Sequence, residues 1–133
     1  MSTLINVAAA RAVRPAQIAI LMTLGVVLWY LVAVALGAAG RLGAFRSPGV
    51  IVLYALVIPA TVPLILLCRR LAGLARDQTL LTVAVVTATA SVLDGNALVW
   101  FPSLYGGYAA GAGAAIVWGI AVALVLGVTM NRP

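Results

Sequence analysis

The chain contains no histidine, no lysine and no glutamate, and it has a single cysteine. Each absence removes a class of chemistry. Without histidine there is no Ser–His–Asp or Cys–His relay, no imidazole base near neutral pH and no histidine-ligated haem or metal. Without lysine no Schiff base forms, which excludes a retinal protein of the usual kind. Cys68 alone excludes an internal disulfide and any CxxC redox or zinc pair. The acidic inventory is two aspartates, Asp77 and Asp94, seventeen residues or about 25 Å apart along a continuous helix. That separation excludes the paired carboxylates of a glycosidase or an aspartic protease. The expectation is a protein that is not an enzyme and holds no metal and no cofactor.

What the chain has in abundance is apolar surface. Of its 133 residues, 65% are hydrophobic and 8% charged, against about 45–50% and 25% in soluble domains. All eight basic residues are arginines, giving a net charge of +6. They stand in ones and twos between long apolar stretches, without the basic stripe and interleaved aromatics of a nucleic-acid surface, so no nucleic-acid partner is expected.

A membrane helix needs about 20 predominantly apolar residues, and four stretches qualify, at about 17–39, 48–68, 79–101 and 107–129. Short connections favour antiparallel neighbours. The expected fold is all-α: an integral membrane four-helix up-and-down bundle forming one domain over 1–133, with the lipid bilayer as its first partner. Arg11, Arg14, Arg69, Arg70, Arg76 and Arg132 fall on one side of such a bundle, Arg41 and Arg46 on the other. By the positive-inside rule both termini are cytoplasmic. Arg11 and Arg14 before an apolar run ending in Ala33-Val34-Ala35 also resemble a secretory leader. The run continues to Ala39, beyond a typical leader core, and retention of the first span is expected.

Asp94 is the polar residue that most needs a partner. It lies inside the third span, where an ionised carboxylate costs about 2.5–3.5 kcal/mol on insertion scales. Thr87, Ser91 and Asp94 follow a helical spacing along one face, and Thr82, Thr89 and Asn96 recur on the other. Two readings apply to the Asp94 seam: a proton or cation relay, or interhelical hydrogen bonds that hold the bundle together. Matching by depth adds Tyr30 and Tyr54, so Tyr30, Tyr54, Asp94 and Asn96 are expected to form one cluster in the outer leaflet. Trp29 and Trp118 sit mid-span and read as core fillers, with a flat ligand surface as the alternative. Trp100, Phe101, Tyr105 and Tyr108 read as an aromatic belt.

Other features concern packing. Pro59 and Pro63, one turn apart, predict a kink in the second span. Gly107, Gly111 and Ala115 repeat every four residues beside Gly113, a small-residue ridge that admits another helix closely, from this chain, from a second copy or from a larger membrane-protein partner. Asp77 reads as a cap on the third span. Cys68, beside Arg69 and Arg70, reads as a small apolar filler, with acylation as the alternative.

Leu93-Asp94-Gly95, then Phe101-Pro102 and Tyr105-Gly106, then a Gly/Ala-rich helix with Trp118-Gly119, resembles a family of small four-helix bacterial membrane proteins, a domain of unknown function. The resemblance lies mainly in residues 91–128. It implies four spans and a bacterial inner membrane, and it implies no activity. Small multidrug exporters depend on a first-span Glu that this chain lacks, and quinone-linked thiol oxidases need cysteine pairs. The expected function is a non-catalytic membrane component or assembly subunit. The alternative is a small oligomeric transporter or channel using Asp94 as an intramembrane proton or cation site.

Overall fold

A computed structural model describes residues 1–3 and 12–133; Arg11 lies outside the described residues. All regular structure among them is helical, in four long helices: α1 Pro15–Arg41, α2 Gly49–Leu71, α3 Thr79–Trp100 and α4 Ala109–Met130. Each is long and apolar enough to cross a membrane. Single 3₁₀ turns at Arg76–Gln78 and Pro102–Tyr105 precede α3 and α4.

Local chemistry sets the ends of these helices. Pro15 opens α1, where its missing N–H costs nothing, and the Arg14 N–H donates to Gln17 Oε1 at 2.9 Å. α2 ends at Leu71, two residues before Gly73, whose φ of +65° suits glycine, and Arg69 and Arg70 in its last turn complement the negative dipole end. α3 starts with Gln78 in the cap position and no side-chain cap bond. Asp77 lies one residue earlier, in the first turn of the 3₁₀ helix, where its carboxylate suits the positive dipole end as expected but forms no cap hydrogen bond to α3. α3 stops at Trp100, two residues before Pro102.

Consecutive helices run in opposite directions, but their packing order departs from their order in the chain. α1 packs chiefly on α3, α3 on α4 and α4 on α2, while α1 and α2 scarcely meet. The close contact of α1 with α3 depends on Gly25, where an added Cβ would lie 2.9 Å from Thr89 Cβ and 3.0 Å from the Val86 carbonyl. At one end of the bundle, here the proximal end, Gln17 Nε2 donates to the carbonyls of Ala72 and Gly73, both at 3.1 Å. The Leu80 N–H donates to Asn131 Oδ1 at 3.0 Å at the same end. The start of α1, the α2–α3 connection and the end of α4 therefore lie together there.

Three small apolar clusters hold the bundle. Leu21, Ala72 and Leu74 close the proximal end, and Ile65, Val83 and Ala123 join α2, α3 and α4. Ala33, Leu36, Ala97, Tyr105, Ala112 and Ala115 form the distal cluster. Pro59 and Pro63 lie within α2, which continues through both, and both are exposed.

Candidate functional site

The distal core contains a short polar chain. Trp29 of α1 donates its indole N–H to the Tyr105 hydroxyl at 3.3 Å, and Tyr105 donates its proton to Asp94 Oδ1 on α3. Trp29 also lies within electrostatic reach of Asp94 itself. Tyr105 is fully buried and Asp94 only 8% exposed. Tyr105 stands in the α3–α4 connection, outside the four helices. Burial first, and then its bond to Asp94, pushes its phenol up to about 12, so it remains a donor across the physiological range.

Tyr105 reaches inward because the Pro102–Tyr105 turn lies directly on α1. A Cβ at Gly37 would sit 2.9 Å from the Leu104 carbonyl oxygen and 3.2 Å from the Gly106 nitrogen. Gly106 and Gly107, with φ of +65° and +82°, then reverse the chain into α4. Tyr105 is thus not part of an aromatic belt, as its place at a span end suggested. Trp100, Phe101 and Tyr108 are exposed at that end.

The depth-matched cluster is not brought together. Tyr30 is 53% exposed, and Asn96 is exposed and donates to its own helix at the Val92 carbonyl, 2.7 Å away. Two residues along a helix turn by about 200°, so Asn96 faces away from Asp94. Tyr54 stacks on Trp118 of α4, with ring centroids 5.3 Å apart and planes at 10°. The Trp118 indole donates to the Tyr54 carbonyl at 3.1 Å, which ties α4 to α2. Thr87 and Ser91 share a face with Asp94, yet their hydroxyls donate to the carbonyls of Val83 and Thr87 at 2.7 and 2.6 Å. Thr82 and Thr89 likewise bond within α3. None of these hydroxyls forms the interhelical bond expected of it; each satisfies itself one turn back.

The small-residue ridge is divided among different uses. Gly107 belongs to the turn, not to α4. Gly111 receives the Phe45 ring from the α1–α2 connection, where an added Cβ would meet it at 2.7 Å. Ala115 is in the distal core, and Gly113 faces Leu98 of α3. Cys68 is buried near the proximal end of α2.

Between the helices lies a cavity of about 440 Å³, within the range of small-molecule sites. It extends from Leu53, Asp94 and Ala115 at one end to Cys68, Thr82 and Ala123 at the other. Its rim residues Val32 and Ala35 on α1, and Leu56, Ala60 and Leu64 on α2, are exposed. The opening is therefore the seam where α1 and α2 fail to meet. No family model matches this chain, and no curated protein or solved structure matches it either.

Proposed function

We propose that this chain is a multi-pass protein of a bacterial inner membrane that acts as a non-catalytic component or assembly subunit, with both termini in the cytoplasm. The observation that carries this reading is the Trp29–Tyr105–Asp94 chain. It commits the one carboxylate inside the helices to joining α1, α3 and the α3–α4 connection. The neighbouring hydroxyls are turned onto their own helix, so they offer no file of free groups along which a proton would travel from Asp94. Arg14, Arg69, Arg70, Arg76 and Arg132 gather at the proximal end, with Arg41 and Arg46 at the distal end. This asymmetry supports a cytoplasmic proximal end. The outward faces of α2, including Ile51, Val52 and Ile58, are exposed apolar surface suited to lipid, to a second copy or to a larger membrane protein.

One observation favours the transport reading: Asp94 lines the cavity. Among the described residues the cavity opens sideways at the α1–α2 seam, so that reading calls for an oligomer that encloses a path. Asp94→Asn separates the two. A subunit retains assembly with a neutral isostere, whereas a proton or cation carrier loses flux. The companion measurement is the composition of the complex extracted in mild detergent from its native membrane. A stoichiometric second protein supports the subunit reading, and a pure homo-oligomer whose flux depends on Asp94 replaces it with transport.

A further inference from the structure

The cavity and the buried carboxylate form one site. Twelve to fifteen residues of α2 and α3 separate its ends, which makes it about 20 Å long. That length suits an extended alkyl chain, and the exposed rim along α1 and α2 lets one enter from the side. The walls suit such a chain, because the threonine hydroxyls of Thr61, Thr82 and Thr87 are occupied by carbonyls of their own helices. Their methyl groups are what they offer to an occupant.

Polarity enters the slot at its distal end. Asp94 lines the cavity there with its side chain more than nine-tenths buried. Tyr105 donates to Oδ1 and the Trp29 indole lies near the same carboxylate, yet Asp94 keeps 8% of its surface exposed beside the cavity. An acceptor at the end of a long apolar slot recognises a donor at the end of a long apolar molecule.

We propose that the seam between α1 and α2 admits a single-chain lipid whose hydroxyl or amine head donates to Asp94 while its tail runs along the slot toward Cys68. A tail gains little by leaving lipid for another apolar site, so the head decides selectivity. Fatty-acid anions are disfavoured, since a carboxylate head would set acceptor against acceptor.

The test uses the full chain in a nonionic detergent, offered equimolar hexadecanol and its methyl ether, with bound species resolved by native mass spectrometry. The expected result is one bound molecule per chain and about a tenfold preference for the alcohol, the worth of one buried hydrogen bond. Asp94→Ala removes the preference and leaves the slot able to hold either tail. Gly119→Leu, which builds a side chain into the slot from α4, abolishes retention of both. Hexadecylamine in place of hexadecanol separates the two heads: stronger retention of the amine assigns a cationic head, and stronger retention of the alcohol a neutral one. Equal retention of alcohol and ether by the unaltered chain overturns the proposal, as does palmitate held as tightly as the alcohol, or neither being held. The comparison on the unaltered chain stands even where a variant does not fold. The inference rests on the membrane reading and not on the subunit role, which the composition of the native complex tests separately.

Discussion

At the scale of single residues, Tyr105 is the joint of the distal core. Tyr105→Phe leaves both the Trp29 indole and Asp94 Oδ1 without their partner, a loss of about 1–3 kcal/mol. Thermal unfolding in detergent, with Asp94→Asn and the double variant completing a cycle, measures the coupling. Burial of the phenol, and after it the bond to Asp94, gives a pH signature. A phenol near 10 when unfolded and about 12 when folded contributes stability that is complete below about pH 10. That contribution is lost as pH rises through about 12, so the stability difference between the native chain and Tyr105→Phe should shrink over that window. A difference that stays flat to pH 12 would count against a buried, protonated phenol. Asp94 was legible in the sequence, because a carboxylate inside an apolar span must find a partner. Tyr105 was not, because an aromatic residue at a span end also suits an interface. The available signal was Gly106-Gly107, which permits the left-handed turn that follows the inward-pointing tyrosine. Asn96 was misplaced for a different reason: depth along a helix says nothing of rotation, and a step of two residues points the other way.

At the scale of elements, the spans were readable to within a few residues from apolar length and from Pro and Gly boundaries. Their contacts were not, because connection length shows which helices are joined and not which ones pack together. Small residues mark the true contacts. Gly37→Ala pushes a methyl group against the backbone of the Pro102–Tyr105 turn, a change that side-chain motion cannot absorb, and should cost about 1–3 kcal/mol. Gly95→Ala is the matched opposite, since nothing lies within 4 Å of its added Cβ. It should stabilise α3 by up to about 1 kcal/mol through helix propensity. Unfolding of the two variants in the same detergent checks both signs. Pro59 and Pro63 are exposed, while Ala60 and Leu64 beside them line the cavity, so a bend there would act on the cavity wall.

At the scale of the whole molecule, the proposed orientation can be tested at the two ends of the bundle. With Cys68 replaced by Ala, single cysteines at Ser47 or Ser103 should react with a membrane-impermeant thiol reagent added to intact cells. A cysteine at Ala75 should react only after permeabilisation, and the opposite pattern would invert the topology. The order of packing carries a consequence for synthesis. α1 and α2, which are made before α3 and α4, are the two that scarcely touch, held at their proximal end by Gln17 across Ala72 and Gly73. Each must wait for its real neighbour, α3 for α1 and α4 for α2. At about 5–20 residues per second, a chain that has made α1 and α2 waits seconds for their neighbours and for Asp94. Chains stalled after residue 78 should therefore be cleared by membrane proteases faster than the finished protein, and the decisive moment in biogenesis is the arrival of the second half.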